Sequence, residues 1–541
     1  MSLDPSDAVA RGRRRSALLP SGLALIAGAG AALAFPPFGF LPGLLGYALL
    51  MGLWDAVAPG ARLKSGFWRG WLAGTIYFFI STWWVGEAFL VDAKDQGWMA
   101  PIAVALLAAG LGLFWGAAGL LYAWARPGGP LRPIYFAGCF CLFEWLRGHV
   151  LTGFPWDLAG ETWRAGSPPS QLAAVVGAYG LSWITVAVCA APALLWPGPR
   201  RRADGFAVGL AAIVLIALYG YGLIRLAHPA TEPAGAPWVR VVQANVDQES
   251  KYDEALFRSI LERYTRLTAL PPPRASGRPP DIVIWPEGAI PDAVNDYLAP
   301  NTWTRAAITG ALKPGQTLFL GGYRLAGTAD QPRAYNSLLA LRAEQGDLVP
   351  TGLYDKFRLV PFGEYLPADT LLSPLGFKKL VHVTDGFDPG PPPRPIFPRA
   401  VPPVQPLICY ESLFPGFVRQ GAKAAGRPAW IVNISNDAWF GKTSGPWQHL
   451  NIASYRAIEE GLPMVRATPT GVSAVIDAYG RVRPDARLAQ GALGVIDAPL
   501  PPALAPTPFS RWGEAIFWLM MTLSAAIGRY VWMNRDAITT V

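Results

Sequence analysis

The sequence predicts two unlike parts, a multi-pass α-helical membrane domain of about eight transmembrane helices and an external α/β domain, and three observations carry that prediction. Apolar stretches of membrane-spanning length succeed one another through residues 1–228. Basic residues cluster in every second connection between them. After residue 238 the apolar runs shrink to strand length and alternate with helix-like stretches. Composition agrees, because a chain of 541 residues that is 52% hydrophobic, 15% charged and of mean hydropathy +0.26 is too apolar for one water-soluble globule.

Seven spans are expected at 17–35, 38–56, 68–89, 99–125, 134–151, 172–196 and 206–227, and an eighth at 515–532, within a C-terminal segment 514–533. Each is near the roughly 20 residues that carry a helix across about 30 Å of hydrocarbon. Arg11, Arg13, Arg14 and Arg15, then Arg62, Lys64 and Arg69, then Arg126 and Arg132, then Arg200, Arg201 and Arg202 fall on one side, joined by Arg529 and Arg535. Short cytoplasmic loops carry the positive excess, so that side is the cytoplasm and both termini face it. The connections with Glu87, Asp92 and Asp95 and with Asp157 and Glu161 face outward, as does the large polar segment before the last span. A cleavable signal peptide ending near Ala32-Leu33-Ala34 is the alternative for the start, disfavoured by the length of the apolar run and without effect on the topology of the later spans. Trp68, Trp98 and Trp196 read as interfacial anchors. The net charge of +9 sits in clusters beside apolar runs and forms no extended stripe, so nucleic acid is not an expected partner.

A Pro/Ala/Gly linker, 229–237, leads into the external domain, 238–500. Strand-length runs lie at 239–244, 282–285, 318–321, 337–341, 406–410, 429–435 and 473–477, with helix-like stretches at 254–270 and 449–460. That pattern predicts a layered α/β domain with its site at strand ends. Of the four cysteines, Cys139, Cys141 and Cys189 lie in apolar runs, which leaves Cys409 alone in the polar part and suggests neither a disulfide framework nor a cysteine metal site.

Three segments place a reactive side chain at or just past a strand end: Ile284-Trp285-Pro286-Glu287-Gly288, Tyr354-Asp355-Lys356-Phe357 and Ile408-Cys409-Tyr410-Glu411. In order and spacing they resemble the three signature motifs of the nitrilase superfamily, which uses a Glu, a Lys and a Cys on an αββα sandwich. Lys356-Phe357-Arg358-Leu359-Val360-Pro361-Phe362-Gly363-Glu364-Tyr365, Asn433-Ile434-Ser435-Asn436-Asp437-Ala438-Trp439-Phe440-Gly441 and Gly445-Pro446-Trp447-Gln448-His449 are similar to segments of the apolipoprotein N-acyltransferases. So are Glu144-Trp145-Leu146-Arg147-Gly148 and Thr152-Gly153-Phe154-Pro155-Trp156 in the membrane part. Gly288 departs from that pattern, where a small hydroxyl residue is frequent.

The resemblance implies Cys409 as nucleophile, Glu287 as general base, Lys356 as stabiliser of the oxyanion and Glu364 as the carboxylate supporting that lysine, with Tyr410, Glu411 and Trp439 in supporting or substrate-contacting places. A thiolate attacks an ester carbonyl and leaves again when the thioester is consumed, a base takes the thiol proton, and a fixed cation meets the developing oxyanion. No cofactor or metal is required. The implied partners are a phospholipid acyl donor, typically phosphatidylethanolamine, a diacylglyceryl apolipoprotein acceptor and the lipid bilayer. The implied location is the bacterial inner (cytoplasmic) membrane, with the catalytic domain periplasmic. Glu287, Glu364 and Glu411 crowd one Lys356, so the Cys409 thiol should rest protonated.

Several residues admit two readings. Glu411 and Tyr410 either act in catalysis or support the wall of the site. Glu144 and Arg147, one helical turn apart in an apolar run, are either functional or an ion pair that locks helix packing. The apolar segment 371–380, within the loop 366–380, is either a lid over the lipid entrance or ordinary packing. His382 and His449 have no metal-ligand spacing and are read as non-catalytic. Two rivals remain: a membrane-tethered amidase or nitrile hydrolase that uses water, and a transporter or channel with an accessory domain, the latter opposed by the scarcity of ionisable residues in the spans and the lack of an obvious inverted repeat.

Overall fold

A computed structural model describes residues 5–533 except 58, 126–127, 196–201, 228–233, 252, 273–276, 329 and 368–385. The segment 371–380, His382 and Trp196 therefore lie outside the described residues. The chain forms two compact units, one within Met1–Gly86, Trp98–Arg225 and Glu514–Val541, the other of Glu87–Gly97 and Leu226–Gly513.

The first unit is helical: α1 (Pro5–Ala34), α2 (Gly46–Asp55), α3 (Arg62–Thr82), α4 (Ala100–Ala125), α5 (Arg132–Arg147), α6 (Ala173–Ala190), α7 (Arg202–Leu226) and a C-terminal helix, Ala515–Met533, that packs on α5 and α6. Among the described residues, three helical segments are long and apolar enough to cross a membrane by themselves, Ala93–Ala125, Pro169–Leu195 and Arg202–Leu226, and shorter apolar helices cover Leu19–Ala34, Leu41–Asp55 and Ala515–Tyr530. Some expected spans are interrupted, among them 68–89, which turns 3-10 over Trp83–Phe89. Where 38–56 reads as one helix, Leu41–Leu45 is a 3-10 turn with Pro42 in it, and Gly43 lies so close to the backbone of Gly30 that a Cβ would collide with it. Where 172–196 reads as one helix, Gly177 leaves the helical path at φ 69° and Ala191–Leu195 ends it as 3-10 turns.

The pairing of α3 with α4 follows from small residues at helical spacing. Gly66, Gly70 and Gly74 on α3 face Gly119, Trp115 and Gly112 on α4, so closely that a Cβ on any of the three would strike the other helix. With no hydrophobic driving force between helices in lipid, such small-residue faces let backbones meet and gain dispersion contacts.

The second unit is a sandwich of two sheets. One has the order β11-β1-β2-β3-β4-β5, the other β10-β9-β8-β7-β6. The strands are β1 (Trp238–Gln243), β2 (Ile282–Ile284), β3 (Thr317–Thr328), β4 (Gln331–Glu344), β5 (Asp347–Asp355), β6 (Val404–Ile408), β7 (Trp430–Ile434), β8 (Met464–Ala467), β9 (Ser473–Ile476), β10 (Val482–Leu488) and β11 (Gly494–Pro499). Successive side chains on a strand point to opposite faces, and both faces are used. Ile282, Ile284 and Phe319 join Val432, Ile434 and Val465 between the sheets. Val283, Leu318 and Leu320 point the other way, onto α8 (Phe257–Thr268) and α9 (Trp303–Ala311) through Leu261, Tyr264 and Ile308. Burial on both faces is why the central strands read as unbroken apolar runs. Helices α10 (Phe417–Ala425) and α11 (Gly445–Glu460) complete the unit, α11 almost wholly buried. The acidic segment Glu87–Gly97 belongs to this unit, and the Glu87 carboxylate fills the space over Gly441, where φ is 57°.

Candidate active site

Each reactive group sits where a strand stops. Glu287 lies just past β2, Lys356 directly after β5, Cys409 is the first residue after β6 and Asn436 lies just past β7. Since β1, β2 and β3 run in sequence as parallel neighbours and β6 runs parallel to β7, carboxyl ends of the two sheets supply the groups together.

Lys356, 1% exposed, is the hub. Its ammonium lies 3.3 Å from Glu287 Oε1 and 2.9 Å from Glu364 Oε1. Asn336 Nδ2 donates to both carboxylates, at 2.6 and 2.8 Å, and the Val360 N–H donates to Glu364 Oε2 at 2.8 Å. The Asn436 N–H holds the other oxygen of Glu287 at 2.6 Å. Burial works against the charge on Lys356, but Glu287 and Glu364 outweigh it, so the ammonium is held charged well above its ordinary range.

Cys409 is partly exposed and sits at φ 49°, a left-handed conformation that costs a non-glycine residue about 1 kcal/mol. Its carbonyl is pinned: Ser412 Oγ donates to it at 2.8 Å and His449 Nε2 lies 3.3 Å away. Burial pushes the thiol well up, Glu287 adds to it, and Lys356 and a hydrogen bond from Ser435 oppose. Burial is thus the first cause that raises the thiol, ahead of the carboxylate crowding expected from the sequence.

Glu411, fully buried, ties two of these segments into one. Its Oε1 accepts from Tyr354 OH and Phe357 N at 2.8 Å and from Arg358 N at 3.2 Å, and its Oε2 accepts from Ile408 N at 2.8 Å. The carboxylate thus bridges the backbone beside Lys356 to the backbone beside Cys409, a supporting geometry. Burial raises it to about 7, against the donors from Ile408, Tyr354 and Phe357. Tyr410 packs edge-on to Phe414, with ring centres 5.2 Å apart, and Trp439 is partly exposed on the turn Asp437–Phe440.

Sequence reasoning missed the layer beneath. Asp437 is held by Arg466 at 2.7 Å and by Ser435 Oγ at 2.7 Å, and its Oδ1 lies 3.0 Å from His449 Nδ1. Arg466 also reaches Asn433. Although burial disfavours its charge, Arg466 and His449 keep Asp437 well below the usual carboxylate range, while burial and Arg466 lower the His449 imidazole. His449, read from the sequence as non-catalytic, stands against the backbone carbonyl of Cys409. The available signal was polar: Asn433 and Arg466 interrupt strands otherwise buried and apolar. Lys251 was also missed; its ammonium lies over Gly288, beside Glu287, so a second cation joins the charges. Among the described residues no group of three His, Cys, Asp or Glu could hold a metal. Glu144 and Arg147 are in the helical unit, paired with each other at 2.5 Å.

Residues 27–191 match the model of the apolipoprotein N-acyltransferase N-terminal domain and residues 238–509 match that of carbon-nitrogen hydrolases. An apolipoprotein N-acyltransferase of Caulobacter vibrioides is 56% identical over 94% of this chain and 94% of its own. One from Allorhizobium ampelinum is 39% identical over 93% of this chain and 94% of its own. Among solved structures, an amidase from Nesterenkonia sp. AN1 aligns with 52% of this chain and 98% of its own at 16% identity and a TM-score of 0.34. With these two sequence relatives matched almost end to end and both domain models in the expected order, the chain belongs to the apolipoprotein N-acyltransferase family.

Proposed function

We propose that this protein moves a fatty acyl chain from a phospholipid to the α-amine of an S-diacylglyceryl-cysteine at the start of a lipoprotein, through a thioester on Cys409. The observation that carries the reading is the Lys356 ammonium set 3.3 Å from Glu287 and acting, with it, on the Cys409 thiol. Glu287 takes the thiol proton as sulfur bonds to the ester carbonyl carbon, and Lys356 meets the oxyanion, a contribution of about 3 kcal/mol. The intermediate collapses, the C–O bond breaks, and the lysophospholipid alkoxide leaves with the proton from Glu287. The amine then attacks the thioester, Glu287 receives its proton, and the thiol returns as the amide forms. Glu364 keeps Lys356 in place, Glu411 and Tyr410 support the wall, and Trp439 lines the substrate side.

Phosphatidylethanolamine is the proposed donor and the inner (cytoplasmic) membrane the proposed location. The chain crosses it eight times, with a helical domain at 1–228, a periplasmic catalytic domain at 238–500 and a last span at 514–533, both termini cytoplasmic; alternating basic connections support this orientation. Mass spectrometry of the purified protein after incubation with phospholipid tests the chemistry. A single acyl adduct on Cys409 that persists in buffer and clears with an amine acceptor is expected; rapid release of free fatty acid to water would favour a hydrolase.

A further inference from the structure

We propose that the Lys251 ammonium and the Gln248 amide form the subsite for the phosphodiester of the lipid donor, next to Glu287. The proposal rests on the acyl-transfer reading above and adds where the donor's anion is held.

Gln248 and Lys251 are the two ends of one short helix, Gln248–Lys251, and a spacing of three sets them on one face. That face is tied to the base through a single residue. Asn436 Nδ2 donates to Gln248 Oε1 at 2.8 Å, while the Asn436 N–H donates to Glu287 Oε2 at 2.6 Å. Gln248 is 3% exposed, and its Nε2 has no hydrogen-bond partner among the described residues. A buried amide N–H without an acceptor costs about 1–3 kcal/mol, which a ligand oxygen recovers.

Lys251 supplies the sign of the ligand. Its side chain runs over Gly288, the residue after the base, and a Cβ there would collide with Nζ, so the glycine at 288 leaves the space the ammonium occupies. Lys356 is held by Glu287 and Glu364 and is 1% exposed. Lys251 is partly exposed. Burial lowers the Lys251 ammonium to about 8 with Glu287 opposing, and an anion against it restores the charged form. A glycerophospholipid carries its phosphodiester one glycerol away from the ester that Cys409 attacks. An ammonium with an amide N–H beside the base suits that anion: a point charge and a directed donor.

Single-turnover acylation of Cys409, read out by intact mass on the full-length protein in detergent, tests the subsite with two donors, phosphatidylethanolamine and a phosphate-free p-nitrophenyl ester. Lys251→Met should lower kcat/KM for the phospholipid by about 10- to 100-fold, mostly through KM, and change the p-nitrophenyl ester by under about threefold. Lys251→Arg should recover most of the loss, and Gln248→Leu should give a smaller loss with the same donor selectivity. An equal loss on both donors would place Lys251 in the service of Glu287 and overturn the subsite, as would no loss on either. A wild-type protein that neither donor acylates would refute the acyl-transfer reading itself, a separate outcome.

Discussion

Two buried ion clusters, one in each unit, use the same physics to different ends. In the helical unit, Arg147 directs its fork at Glu144, with Nε 3.2 Å from Oε1 and a second nitrogen 2.5 Å from Oε2. Its remaining nitrogen reaches the carbonyls of Phe154 and Trp156 at 2.5 and 2.8 Å, Trp115 Nε1 donates to Glu144 at 3.0 Å, and the guanidinium lies 4.9 Å over the ring of Phe78. Each guanidinium nitrogen has a partner, and the cluster fastens the backbone of Phe154 and Trp156 to α5. In the sandwich, Lys356 divides its charge between Glu287 and Glu364, and its third neighbour is a thiol that gains charge only when it reacts. On the proposed mechanism the difference teaches that a saturated buried pair is glue, whereas one that also faces a titrating nucleophile is machinery. Of the two readings open for Glu144 and Arg147, the geometry favours packing.

The largest expected effect tests the machinery. Lys356→Met should slow acylation of Cys409 by about 10²- to 10³-fold, and Cys409→Ala should abolish the adduct, both read by mass spectrometry. A Lys356→Met protein that acylates at the wild-type rate would end the contrast. Next comes the glue. Arg147→Met leaves a buried carboxylate and should cost about 3–5 kcal/mol in detergent unfolding, largely restored in Glu144→Leu/Arg147→Met, while the folded fraction still acylates. Preserved stability with lost acylation would move this pair into the machinery instead. Glu411→Gln should cost about 2 kcal/mol and slow acylation, because an amide N–H2 then confronts backbone donors from Ile408, Phe357 and Arg358.

The smallest effect comes from an intermediate case at the end of α11. Glu459 has Arg456 at 2.7 Å, but burial and the neighbouring Glu459 raise Glu460 to about 8. A carboxyl raised in the folded state keeps its full contribution below its ordinary value of 4.5 and loses it as pH climbs through 8. Glu460→Gln should therefore leave the thermal midpoint unchanged at pH 4 and raise it at pH 8, against wild type in the same detergent. An equal shift at both pH values would show that the carboxyl is not titrating in that window.

The proposed reactive set was legible because covalent chemistry needs particular side chains: Glu287, Lys356, Cys409 and Glu364 stand in motifs whose order and spacing carry meaning without coordinates. The apolar runs were legible for a similar reason, since the length of chain that spans lipid is fixed by helix rise. Their interruptions at Leu41–Leu45 and Gly177 were not, because close backbone contacts set them. The extended hairpin of β3 and β4 was also missed; beyond Gly321 its exposed faces carry Arg324, Gly327, Gln331 and Arg333, where no alternating apolar pattern marks a strand.

The sequence by itself thus determined the motifs that hold the proposed reactive groups, where the apolar runs lie and which family the motifs resemble. Only the tertiary structure decided that Glu411 bridges the backbones beside Lys356 and Cys409, that His449 and Ser412 brace a strained Cys409, that Glu87–Gly97 joins the sandwich unit, and that Lys251 lies over Gly288. The physical reason is range: composition and periodicity record what a residue does to its own strand or helix, whereas these contacts join residues far apart in the chain, and folding alone brings them within hydrogen-bond reach.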